Sequence, residues 1–276
     1  MENVVNNKIP IARHLDDVDD LRTFGRDGEL LPNQEDSAKD YAKELVQRVH
    51  EEGKGAVLLL CSTRRRGIQT GQLIATQIKE IDPNIKLVIT TNQALANIYE
   101  GVVHLPDDYK AGDKFLGFSV AKDVFNKEVF GSRPNFLYRF GDPVKSNSGN
   151  KYPELDGYFD EYGESYRDFL VRMFNFILET SKNRNRFDGK TKIAVVTHSQ
   201  QYQMFFDLQS VMKDVQEGKI DLIPGELALI CWQRYLERIK LEKPVYHVRY
   251  IETDGFYNDK NINVLEQEVA YLKDLK

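Results

Sequence analysis

Short runs of β-branched and apolar residues alternate along the chain with longer stretches in which apolar positions recur every three or four residues. GAVLLLC at 55–61 and KIAVVTH at 192–198 have the length and composition of strands buried on both faces. KLVITT at 86–91 and IPIAR at 9–13 predict two more strands, and ELALICW at 226–232 and YHVRYIET at 246–253 a further pair. Between them, SAKDYAKELVQRVHEE at 37–52 places Ala38, Tyr41, Ala42, Leu45, Val46 and Val49 on one helical face, with Asp36 or Ser37 as its cap. GIQTGQLIATQIKEI at 67–81 and YRDFLVRMFNFILETS at 166–181 repeat the helical period, and NVLEQEVAYLKDLK at 263–276 predicts a surface helix. Strands alternating with such helices predict a three-layer α/β/α sandwich with a mostly parallel central sheet. Ligands of such sheets bind beyond the carboxyl ends of the strands.

Residues 101–162 break this rhythm. They are rich in Gly, Pro, Asn and aromatic residues, as in FGSRPNFLYRFGDP and SNSGNKYP, and are read as an insertion forming a lid within a single domain spanning 1–276. The charge balance excludes other classes: at net −5, with 41% hydrophobic and 29% charged residues over 276 positions, the chain has no general affinity for nucleic acid or an anionic membrane. Cys61 and Cys231 are the two cysteines, and neither has the spacing of a disulfide framework or a zinc site. No apolar run reaches membrane-spanning length and the first residues lack signal-peptide character, so the expected location is cytoplasmic.

Polar residues follow three of the predicted strands at once. Arg13 and His14 end the first, Ser62 to Arg66 follow AVLLLC, and His198 follows IAVVT. In a parallel sheet these ends meet on one edge, gathering two imidazoles and up to four guanidiniums from Arg13, Arg64, Arg65 and Arg66. Guanidinium forks match phosphate oxygens, and an imidazole among them can attack phosphorus while a second holds a phosphoryl oxygen. A cysteine-phosphatase loop fails on spacing, because the position six residues after Cys61 is Gly67 rather than arginine. His50, His104 and His247 have no such companions and read as structural.

These residues resemble the histidine phosphatase superfamily, also called phosphoglycerate mutase-like, in its first branch. The family's Arg-His-Gly corresponds to Arg13-His14-Leu15, and its Ser-x-x-x-Arg-x-x-Gln-Thr to Ser62, Arg66, Gln69 and Thr70. Its Gly-Glu-Ser corresponds to Gly163-Glu164-Ser165, followed by Asp168 and Arg172, and its strand-terminal Thr-His to Thr197-His198. Gly163-Glu164-Ser165 also reads as a helix start with Ser165 as N-cap. The acid-phosphatase and phytase branch fits less well, since it expects arginine and aspartate where this chain has Asp17 and Ser199.

The resemblance implies a phosphohistidine on His14 and a phosphate pocket of Arg13, Arg66 and His198, with Ser62, Asp20 and Ser199 as further substrate-binding positions. It implies no metal and no cofactor. Leu15 stands where the family has a small glycine, and Asp20 where mutase-like members often carry asparagine. The family's acidic proton donor falls in register on Asn97, leaving Glu100 as the preferred general acid and Asp107 and Asp108 as the others. The expected function is a metal-independent phosphomonoesterase acting on a small phosphorylated substrate, with a homodimer left open. The alternatives are a phosphomutase, or a degenerate member that binds a phospho-ligand or protein without turnover.

Overall fold

Side chains alternate across a strand, and in the central strands that alternation feeds two separate cores. The computed structural model describes residues 8–15, 23–24, 30, 32–96, 101–104, 114–115, 118–119, 159–162, 166–183, 189–239, 249–252 and 258–274. Five strands, β1 (Lys8–Arg13), β3 (Ala56–Ser62), β4 (Lys86–Asn92), β9 (Thr191–Thr197) and β10 (Arg249–Glu252), form one sheet in the order β10-β1-β9-β3-β4. β1, β9, β3 and β4 run parallel, and β10 closes one edge antiparallel to β1. Ile11, Leu60 and Val195 point to one core, whereas Ala12, Val57, Leu59, Cys61, Ala194 and Val196 point to the other.

The helices divide between the faces according to the direction in which the chain crosses the sheet. From β1 the chain moves outward to β3 and β4, and right-handed crossovers put α1 (Glu35–Glu51) and α2 (Arg65–Ile81) on the same face. It then turns back to β9, so α3 (Tyr166–Asn183) lies on the opposite face. There it is joined by α4 (Ser199–Gln216), α5 (Glu226–Ile239) and α6 (Asp259–Asp274). The result is the α/β/α sandwich expected from the hydrophobic pattern. A second sheet joins β2 (Thr23–Phe24), β5 (Gly101–His104) and β8 (Phe159–Tyr162), and β6 (Lys114–Phe115) pairs with β7 (Phe118–Ser119). Beyond these short strands, the expected lid at 101–162 lies outside the described residues.

Helix α1 buries the six residues its periodicity selects: Ala38, Tyr41, Ala42, Leu45, Val46 and Val49. Its cap differs from expectation, because the helix begins at Glu35 after Gln34 and no side chain caps it. Asp36 and Ser37 instead lie inside the first turn, where the acidic pair Glu35 and Asp36 complements the helix dipole. ELALICW is not a strand. It opens α5, burying Leu227, Ala228, Cys231 and Trp232 at helical spacing while Leu229 is exposed. The start of α5 is fixed from α6, whose Glu268 carboxylate accepts the amides of Gly225 at 2.7 Å and Ala228 at 2.8 Å. Burial of that carboxylate raises its pKa, while the two amides pull it back down. The helix α6 predicted for the surface lays Leu265, Val269 and Leu272 into the core. No helix among the described residues is long and apolar enough to cross a membrane.

Candidate active site

β1, β9 and β3 are neighbours, so His14, His198 and Ser62 stand side by side at the carboxyl end of the sheet. The arginine beside each comes with the strand: Arg13 ends β1, paired to Thr197, and Arg66 lies in the first turn of α2 just after β3. Both α2 and α4 begin at this edge, bringing two helix N-termini, and their favourable field for anions, to one place.

His14 is 3% exposed and held through backbone and ring. Its amide donates to the Thr197 carbonyl at 2.8 Å, which ties it to the neighbouring strand. Its Nδ1 lies 2.6 Å from the Leu15 carbonyl oxygen. A carbonyl can only accept, so Nδ1 carries a proton, and in the neutral form of the ring the lone pair is on Nε2. The Leu15 amide donates to Thr70 Oγ1 at 3.0 Å, and that hydroxyl donates to the Arg66 carbonyl at 2.8 Å. The chain of bonds runs from the His14 ring to the first turn of α2.

His198 takes the opposite tautomer for a parallel reason. Arg66 Nε donates to its Nδ1 at 3.3 Å, and a guanidinium has no acceptor, so the imidazole proton is on Nε2. That nitrogen is 2.7 Å from Ser62 Oγ, which also accepts the Arg64 amide at 3.0 Å. The two imidazole centroids are 4.8 Å apart and tilted by 54°. The two rings thus present opposite nitrogens to their partners, beside a buried guanidinium and two helix N-termini, a donor-rich edge whose chemistry suits an anion.

Close backbone approach makes this edge compact. A Cβ on Gly67 would lie 2.8 Å from Ser62 Cβ, and one on Gly71 2.3 Å from Cys61 Sγ. Only glycine at both positions lets α2 settle on β3, and that packing delivers Arg66 to His198. Burial pushes the Cys61 thiol up to about 12, so it is un-ionised and unreactive at neutral pH.

Arg13, His14, Ser62, Arg66 and His198 are therefore brought together, and Ser199 joins them as the first, half-buried residue of α4. Ser62 contacts His198, which gives it a part in orienting the second imidazole. Arg65 is exposed and Arg64 half-buried. Leu15, the departure from the family glycine, is accommodated: its side chain packs against the core under α1 and α2, and its amide is taken by Thr70. Gln69 accepts the Leu30 amide at 3.0 Å. Asp168 is exposed and paired with Arg167 at 3.5 Å. Asp20, Asn97, Glu100, Asp107, Asp108 and Gly163-Glu164-Ser165 lie outside the described residues.

In the sequence Thr70 and Arg172 stand out only as members of motifs, and Gln201 does not stand out. Thr70 supports the loop after His14, while Arg172 Nη1 and Gln201 Nε2 bind backbone carbonyls just after β4. For Gln201 the available signal was its place three residues after His198, within the first turn of α4.

Fold and site together define an α/β protein with paired histidines and a buried arginine at the carboxyl edge of a mostly parallel sheet. No protein-family model matches the chain, and no curated protein matches it. Among solved structures, a mycobacterial glucosyl-3-phosphoglycerate phosphatase is similar at 12% identity over 82% of this chain and 83% of that one, with a TM-score of 0.41. The same enzyme complexed with VO3 is similar at 15% identity over 70% and 76%, with a TM-score of 0.36. A structure described as mycobacterial hydrolase 2 is similar at 15% identity over 82% and 76%, with a TM-score of 0.40.

Proposed function

We propose that this protein is a phosphomonoesterase of the histidine phosphatase type, acting on a small phosphorylated substrate without a metal. The observation that carries the reading is the 2.6 Å bond from His14 Nδ1 to the Leu15 carbonyl, which leaves the Nε2 lone pair as nucleophile beside Arg66-bound His198. Nε2 attacks phosphorus, the P–O bond to the leaving group breaks, and a carboxylic acid, Glu100 in this reading, protonates the departing oxygen. Water then attacks the phosphohistidine, the P–N bond breaks, and the same carboxylate takes the water's proton. Arg13 and Arg66 hold the oxygens on which charge is carried, aided by the two helix N-termini, and the His198 Nε2 proton, which faces Ser62 Oγ, is the donor that the ring turns to a phosphoryl oxygen. Guanidiniums beside the imidazoles favour an anion at this edge, since they repel a cation and donate to oxygen.

Leu15 and Asn97 are the features that favour non-catalytic binding instead; the packing of the Leu15 side chain against the core supports catalysis over it, and Asn97 lies outside the described residues. The test is a screen of alkyl and aryl phosphomonoesters in EDTA, run beside His14→Ala. The expected result is turnover by the wild type, undiminished by EDTA and inhibited by orthovanadate, and none by the folded variant. Activity that is lost on chelation and restored by a divalent ion, or a His14→Ala variant near wild-type rate, overturns the reading.

A further inference from the structure

β4 ends at Asn92, and the chain then makes a single 3-10 turn at Gln93–Leu95 before Ala96. Ala94, Leu95 and Ala96 are buried, where an irregular backbone must find partners for its carbonyls. All four carbonyls from 93 to 96 are captured by side chains from other elements. Arg172 Nη1, on α3, reaches the oxygens of Gln93 at 2.6 Å, Ala94 at 3.0 Å and Ala96 at 3.0 Å, so its two protons are shared among three acceptors. Thr197 Oγ1 donates to Leu95 at 2.8 Å, and Gln201 Nε2 donates to Ala96.

Two of these donors bracket His198. Thr197 precedes it, and Gln201 follows one turn along the helix for which His198 is the N-cap. The turn is thus a shelf bolted to the backbone on both sides of the second imidazole, and Arg172 locks the shelf from the far side. Satisfying buried carbonyls would by itself need only scattered neutral donors. One charged guanidinium nitrogen serving three carbonyls of a turn that also grips both flanks of His198 does more.

We propose that Arg172 is a positioning residue, which acts through the backbone of Gln93–Ala96 to hold His198 where it meets the phosphoryl group in the transition state. The proposal rests on the phosphatase reading above. A misplaced His198 loses hydrogen bonding to the trigonal-bipyramidal arrangement more than to a ground-state tetrahedral anion, because only the former is matched by the pocket. Arg172→Gln should therefore raise the inhibition constant of orthovanadate about tenfold or more while changing that of inorganic phosphate much less. Its kcat should fall with vanadate affinity, and KM should stay near the wild-type value.

Gln201→Ala, which loosens the shelf from the other side, should give the same signature. Arg172→Lys keeps a charged donor with three protons and should recover part of the loss. Folding is followed by thermal melting, and anion affinities by calorimetry where turnover is too slow. Equal loss for vanadate and phosphate, or no change for either in a folded variant, overturns the proposal. If Arg172→Gln fails to fold, Arg172→Lys and Gln201→Ala decide by the same ratio. Wild-type protein that hydrolyses no phosphomonoester sinks the phosphatase reading instead, and calorimetry with the two anions still judges the shelf.

Discussion

Thr70 Oγ1 accepts from the Leu15 amide and donates to the Arg66 carbonyl, so one hydroxyl connects the loop after His14, the proposed nucleophile, to the helix that carries Arg66, the proposed phosphate-binding residue. Thr70→Val keeps the shape and removes both bonds, leaving a buried amide unsatisfied at a cost of about 1–3 kcal/mol. It should lower the melting temperature and reduce kcat, whereas Thr70→Ser should restore both; an unchanged kcat in the valine variant would show that the Leu15 loop holds itself. The proton donor is tested by leaving group. An alkyl oxygen needs a proton as it departs and p-nitrophenolate does not, so Glu100→Gln should slow alkyl phosphate hydrolysis by about 10²–10⁴-fold and spare p-nitrophenyl phosphate much more. Equal losses on both substrates would point to damaged binding, and no loss on either moves the role to Asp107 or Asp108. Cys61 and Cys231 are both buried, and with the Cys61 thiol held up at about 12 the folded protein should resist thiol reagents at pH 8 and react at both cysteines only in denaturant.

The seating of α2 on β3 depends on Gly71 as much as on any side chain. Gly71→Ala places a methyl group 2.3 Å from Cys61 Sγ and should destabilise by about 1–3 kcal/mol through overpacking. In a Cys61→Ala background the nearest remaining contact is Cys61 Cβ at 3.7 Å, so the same substitution should then cost far less. A double-mutant cycle by denaturant unfolding reads the coupling, and additive values would show that the helix shifts instead. At this scale much was legible in the sequence. The six buried positions of α1 follow from a period of 3.6, and the places of His14, Ser62 and His198 follow from where apolar runs stop, whereas Arg66 is separated from Arg64 and Arg65 only by the Ser-x-x-x-Arg register of the family resemblance. ELALICW misled because an apolar run of that length suits a buried strand and a helix equally, and only the burial of Leu227, Ala228, Cys231 and Trp232 separates them. The braces around His198 left little trace, since the groups that Arg172, Thr197 and Gln201 bind are backbone carbonyls, which every residue possesses.

Both cores of the molecule are built on the same strands: β1, β9 and β3 give alternate residues to each face. The two faces should therefore unfold together. Leu45→Ala in α1 and Leu208→Ala in α4 each remove a buried leucine from a different core and should each cost about 2–5 kcal/mol. The double variant should be close to the sum, with one transition of unchanged denaturant dependence; two resolved transitions would show that the faces melt independently. The strand order carries a consequence in time. β9 sits between β1 and β3 yet is translated after both, so a nascent chain holding β1, β3 and β4 has a slot in its sheet until Thr191–Thr197 leaves the ribosome. Inserting a central strand late means closing long loops before any contact rewards them, which makes it a slow step and exposes strand edges to other chains meanwhile. His198 arrives with that same strand, so on the proposed function turnover should begin only when that slot is filled, and its return during refolding should be a clock for β9 insertion, running behind the recovery of helix.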